Sequence, residues 1–216
     1  MFRNAQSHLS AACPRFAALI ERVGPRAASP DDNRAPYARL LRAIAHQQLN
    51  GRAAELIFGR FLALYPGQDF PHPKDVLATG DEALRAVGFS FGKIAAIRDI
   101  AAKTLDGIVP ERAELASLSD EEAISRLVAL RGVGRWTVEM LLIGMGRPDI
   151  LPIDDFGVRE GYRILHGLET QPKPKALAEI GLPWAPHRTT AAWYLWRAAD
   201  EHKRVKPPPS PLTDGG

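Results

Sequence analysis

Two short stretches bring together residue types that could do chemistry. Residues 127–137 read Leu-Val-Ala-Leu-Arg-Gly-Val-Gly-Arg-Trp-Thr. Gly132 and Gly134 flank one apolar residue, which permits a tight turn with positive φ and leaves the backbone unshielded. Val133 is then placed to plug between the helices on either side. The helix after the turn presents free N–H groups and a positive dipole end, a ready site for a phosphate. Arg135 and Thr137 stand beside it as further donors. The second stretch is Leu151-Pro152-Ile153-Asp154-Asp155-Phe156-Gly157-Val158-Arg159. Its paired carboxylates fall where a new helix starts. One can cap that helix by accepting backbone N–H bonds, leaving the other to face a cleft. Taken singly, each stretch is commonplace: a glycine corner without a ligand, and an N-cap with a solvated neighbour.

The elements that must position these residues read as helices separated by proline and glycine. The spacing predicts helices over 14–23, 36–49, 51–65, 91–106, 120–130, 135–146, 155–166, 173–180 and 187–203. Leu40, Leu41, Ile44 and Ala45 recur at helical spacing in the second, and Leu56, Phe58, Phe61 and Leu62 in the third. Asp120 and Ser90 are placed to cap helices, and Gly107, Gly132 and Gly167 to close them. No alternating apolar run is flanked by hairpin signals, so the fold class is all-α without strands. Residues 1–35 are expected to pack on the core and to be partly loop, over 24–35 especially. A core follows over 36–202, and 203–216, rich in proline and glycine, should be a mobile tail.

Three further segments extend the pattern. Ile44-Ala45-His46-Gln47-Gln48-Leu49-Asn50 closes one helix, and Gly88-Phe89-Ser90-Phe91-Gly92-Lys93 opens another. Pro186-His187-Arg188-Thr189-Thr190-Ala191-Ala192-Trp193-Tyr194-Leu195-Trp196-Arg197 begins the last. With the glycine turn and a carboxylate about twenty residues beyond it, the chain resembles the helix-hairpin-helix DNA glycosylase superfamily, over about 36–200. Within that superfamily it resembles the 3-methyladenine DNA glycosylase II branch. Arg131 stands where the hairpin consensus has proline, and Asn50 where the wedge motif has serine.

The resemblance implies a two-lobed helical bundle with a cleft between the lobes. It also implies double-stranded DNA carrying alkylated bases as the partner. Hairpin residues Gly132, Val133, Gly134, Arg135 and Thr137, with Lys93 and Arg188, would contact the DNA. Gln48, with His46 or Leu49, would fill the gap left by a flipped nucleotide. Trp136, Phe156, Trp196 and Gln47 would line the base pocket, where aromatic faces favour cationic alkylpurines by about 0.5–2 kcal/mol per contact. Asp155 would be the catalytic carboxylate and Asp154 the helix cap; spacing against the lysine-bearing branch selects Asp154 instead. That branch places a Schiff-base lysine where this chain has Trp136, so base release without strand cleavage is expected. A Na+ or K+ ion on the backbone carbonyls of Val128, Leu130 and Val133 is implied as well; no cofactor is required. Excision of another lesion, or DNA binding without catalysis, remains the alternative.

Composition bounds the rest. Of 216 residues, 45% are hydrophobic and 25% charged, as in an ordinary globular chain. One cysteine, Cys13, excludes an internal disulfide and the four-cysteine iron–sulfur cluster of other superfamily branches. No apolar run approaches the roughly 20 residues of a membrane span. No secretion signal is apparent, so a cytoplasmic protein is expected; the resemblance implies a monomer and, at 216 residues, a core without the β domain of longer members of the branch. The net charge of +3 leans only weakly toward an anionic partner.

Overall fold

The computed structural model describes residues 2–26 and 34–205. Among them every regular element is a helix, as the sequence predicts. They divide into two compact units, one formed by 2–26 with 146–205 and the other by 34–145. Most of the loop expected at 24–35 and of the tail expected from 203 lies outside the described residues. Residues 203–205 are helical.

The chain starts with α1 (Phe2–Ala12) and α2 (Pro14–Val23). Pro14 ends α1 and opens α2, with Cys13 extended between them. The second unit runs through α3 (Pro36–His46), α4 (Gly51–Ala63), α5 (Pro73–Ala78), α6 (Asp81–Ala86) and α7 (Phe91–Leu105). It continues through α8 (Arg112–Ser117), α9 (Asp120–Leu127) and α10 (Arg135–Gly144). Helices α5, α6 and α8 have six residues each, too short to leave a periodic signal.

Several boundaries differ from the sequence reading. Helix α3 stops at His46, three residues early, because Gln47 turns extended and Gln48 takes a left-handed φ of 58°. The Asn50 side chain then accepts the Ala53 N–H at 2.9 Å and starts α4, taking over the capping role of serine. Leu56 faces outward, and Ala54, Phe58 and Phe61 carry the buried face of α4. Ser119, not Asp120, caps α9, in a reciprocal pair with Glu122. Gly132 closes no helix, since α9 has already ended at Leu127. Ser90 does cap α7, and Gly167 closes its helix in the left-handed conformation.

The first unit is completed by α11 (Phe156–His166), α12 (Pro174–Ile180), a 3-10 turn (Leu182–Trp184) and α13 (Arg188–Val205). Its core gathers Leu9, Phe16, Leu19, Val158, Tyr194 and Leu195, all buried. Trp184 joins this core, edge-to-face against Phe16. Trp193 is partly buried against the same core, and Arg197 lies over its ring. Helices α11 and α13 approach so closely that a Cβ at Gly161 would overlap the Leu195 carbonyl. This contact fixes the direction of α11, and so the place of its first residues.

Candidate active site

In the unit of α3–α10, the α9–α10 connection forms the hairpin. Val133 is buried, and its N–H closes a turn on the Leu130 carbonyl at 3.2 Å. Gly132 has φ 77°, and a Cβ there would lie 3.1 Å from Ala96 and 3.4 Å from Ile44. The fold therefore demands glycine at 132 twice over. Gly134 is different: its φ is −95° and nothing lies within 4 Å of an added Cβ. Nothing among the described residues requires glycine there, whereas a ligand approaching the backbone would. No side chain caps α10, and neither the Gly132 nor the Gly134 N–H donates to an acceptor among the described residues. Outward amides at the positive end of a helix dipole are a concavity of the kind that suits an anion.

Two residues assigned to that concavity from sequence have other duties. The Arg135 guanidinium donates to Glu139 at 3.0 Å and to both carboxylate oxygens of Glu121, at 2.6 and 3.2 Å. Its hydrogen bonds hold the Glu121 carboxyl below its usual range. Thr137 is 5% exposed, so its hydroxyl sits in the core and not at the surface. Residue type suggested donors; the carboxylates on α9 and α10 and the inward turn of α10 decide otherwise.

The connection from α3 to α4 supplies an exposed tip. Gln48, Leu49 and Asn50 are all exposed, and Gln48 holds its unusual backbone conformation at the apex. Gln47 is partly buried and donates its side-chain N–H to the Gly132 carbonyl at 3.0 Å, tying the tip to the hairpin. His46 is committed locally, its Nδ1 facing the Arg42 carbonyl at 2.8 Å and its Nε2 facing Glu55 at 3.0 Å. Lys93 donates to the Ala45 carbonyl at 2.8 Å, at the C-terminal end of α3, and burial pushes its ammonium below the usual range. His46 and Lys93 thus shape the tip instead of extending from it. Trp136, at the start of α10, is 44% exposed.

In the other unit, Asp155 caps α11. Its Oδ1 accepts the Val158 N–H and the Trp196 indole N–H, both at 2.8 Å. The division of labour expected for the pair is corrected here. Asp155 is the cap, while Asp154 is exposed in the preceding turn and makes no side-chain hydrogen bond among the described residues. Trp196 reaches Asp155 from α13 because position 157 is glycine: a Cβ there would lie 2.8 Å from the indole Cδ1. Phe156 is 61% exposed. Arg188 lies in this unit as a structural residue, its guanidinium gripping both Asp149 oxygens at 2.8 and 2.7 Å. Burial raises the Asp149 carboxyl, but the Arg188 bonds outweigh it and leave a net lowering.

Sequence reasoning missed the residues behind this grip. The Thr189 hydroxyl donates to the Arg147 carbonyl at 2.7 Å and accepts the Ile150 N–H at 2.9 Å. With Asp149–Arg188 it fastens the segment leading to Asp155 onto the start of α13. The partners are about forty residues apart, and no periodicity links them. Among the described residues no group of three or more His, Cys, Asp or Glu could hold a metal ion. No described helix is long and apolar enough to cross a membrane.

An open-backed glycine hairpin and a carboxylate fixed at a helix start are the marks of one class. The chain belongs to the HhH-GPD superfamily of base excision DNA repair proteins, whose family model matches residues 41–186. It is 41% identical over 208 residues to DNA-3-methyladenine glycosylase 1 of Schizosaccharomyces pombe, covering 94% of this chain and 91% of that protein. The solved S. pombe 3-methyladenine DNA glycosylase Mag1, in complex with abasic DNA, superposes with a TM-score of 0.82. That match covers 90% of this chain and 95% of the other, at 41% identity. A DNA-3-methyladenine glycosidase from Bacillus halodurans gives 0.83 at 32% identity, covering 93% and 91%.

Proposed function

We propose that this chain is a monofunctional DNA glycosylase that removes alkylated purines, 3-methyladenine and 7-methylguanine, from double-stranded DNA. The carrying observation is the Asp155 carboxylate, anchored by one backbone and one indole N–H at the start of α11. Catalysis needs a negative charge held in one place, and a pre-oriented carboxylate supplies it. Asp154, exposed on a turn, lacks that anchoring.

The hairpin amides grip the DNA backbone, and the Gln48–Leu49 tip fills the space of the flipped nucleotide. Phe156 and Trp196, next to Asp155, offer aromatic faces to a base that carries positive charge. As the bond between C1′ and the purine breaks, its electron pair neutralises the base, which departs uncharged. Positive charge then develops on the sugar beside Asp155. Water adds to C1′ and its proton passes to the carboxylate, leaving an abasic site. Trp136 has no amine with which to form a Schiff base, so the strand stays intact.

A Na+ or K+ ion belongs to this reading as a structural partner of the hairpin, held by the carbonyls of Val128, Leu130 and Val133. Those of Val128 and Val133 accept no hydrogen bond among the described residues, and that of Leu130 accepts one. Such an ion would add positive charge beside the hairpin amides.

Incubation with methylated duplex DNA tests the proposal. Chromatography should show release of 3-methyladenine and 7-methylguanine, with strand breaks appearing only after alkali. Release of uracil or unmodified adenine alone would replace the substrate class, and breaks without alkali would contradict the monofunctional mechanism.

A further inference from the structure

The sequence pattern assigns the side-chain charge of the hairpin to Arg135, whose guanidinium is paired with Glu121 and Glu139. Three cations lie on or beside the α9–α10 connection: Lys103, Arg131 and Arg135. Lys103 pairs with Asp99 at 3.0 Å and donates to the Ala129 carbonyl at 2.8 Å. Arg135 is neutralised by Glu121 and Glu139. Arg131 remains: it is exposed, and its guanidinium meets no carboxylate among the described residues.

Arg131 is nevertheless held at its backbone. Its N–H donates to Asp99 Oδ2 at 2.7 Å, the same oxygen that pairs with Lys103. Helix α7 therefore clamps the connection twice, through the Ala129 carbonyl and the Arg131 amide. A proline at 131 would stiffen the backbone but has no N–H to give Asp99. The arginine keeps that bond and adds a five-donor cation immediately before Gly132, next to the exposed hairpin amides.

Resting on the DNA reading of the hairpin, we propose that Arg131 is a phosphate-binding residue. It supplies the side-chain charge of the hairpin, while Arg135 serves only the α9–α10 packing. A DNA phosphate is the ligand, because a planar fork beside oriented backbone amides suits a multi-oxygen anion.

The test is the salt dependence of binding to a duplex containing a tetrahydrofuran abasic-site analogue. Losing one phosphate contact lowers the slope of log Kd against log salt by about 0.9. Arg131→Gln, which keeps the backbone N–H, should show that loss, and Arg131→Lys should restore the slope. Arg135→Gln should leave it unchanged. Circular dichroism confirms that each variant is folded before its slope is compared. An unchanged slope in folded Arg131→Gln, or an equal loss in Arg135→Gln, overturns the assignment to Arg131 alone. Absence of salt-dependent binding by the unaltered protein overturns the DNA reading together with it.

Discussion

Helices α10 and α11 begin in opposite ways. The start of α10 has no side-chain cap, and the open space around Gly134 leaves its amides outward-facing. The start of α11 is closed by Asp155, whose carboxylate takes the Val158 N–H and is steadied further by Trp196. Both ends carry the same positive dipole. One offers it to an anion from outside; the other spends it on holding an anion of its own. Glycine serves both ends differently, exposing backbone at 134 and admitting an indole at 157.

The sharpest way to break this contrast is to remove the internal charge. Asp155→Asn should lower the single-turnover rate of base release by roughly 10²–10⁴-fold, with abasic-site DNA still bound. Asp154→Asn should leave the rate close to normal. The reverse order of effects would make the start of α11 a cap and nothing more.

Trp196→Phe keeps the ring but removes the donor to Asp155. A hydrogen bond to a charged group contributes about 1.5–3 kcal/mol. Single-turnover kinetics should therefore slow by about 10-fold or more, with DNA affinity little changed.

At the other helix start, the two hairpin glycines should part company. Gly132→Ala places a side chain at φ 77° and against Ala96, and denaturant melts should show a loss of about 1–3 kcal/mol. Gly134→Ala should melt within about 0.5 kcal/mol of the unaltered protein, yet titrations should show weaker DNA binding. Equal binding by Gly134→Ala would mean that no ligand approaches the backbone there.

The smallest effect concerns the middle of α11. The hydrogen bonds of Arg163 hold the Glu160 carboxyl down at about 2, against an ordinary value of 4.5. Its contribution to stability is complete above pH 4.5 and is lost as pH falls toward 2. Acid melts of Glu160→Gln should therefore be flatter across that window, lower than those of the unaltered protein above pH 4.5 and converging with them toward pH 2.

Much of this was legible in the residues. The glycine turn, the carboxylate pair and most long helices follow from punctuation and periodicity, as Ser90 and Gly167 illustrate. What remained hidden was which of several suitable side chains is already engaged. Arg135 reads as a phosphate donor until Glu121 and Glu139 are placed beside it. Thr137 reads as exposed until α10 turns it inward. Asp149 and Arg188 give no sign of each other because their pairing depends on tertiary folding, not on local spacing. Asp155 and Asp154 differ by one position, and the Val158 N–H together with the arrival of Trp196 from α13 separates their surroundings.

The backbone contact between Gly161 and Leu195 bears on how such a protein can diversify. Because it fixes α11 without involving any side chain at position 161, the carboxylate position is insulated from substitutions at the exposed rings. In the proposed reading, a substitution at Phe156 would change the face offered to a base and leave the Asp155 anchoring in place.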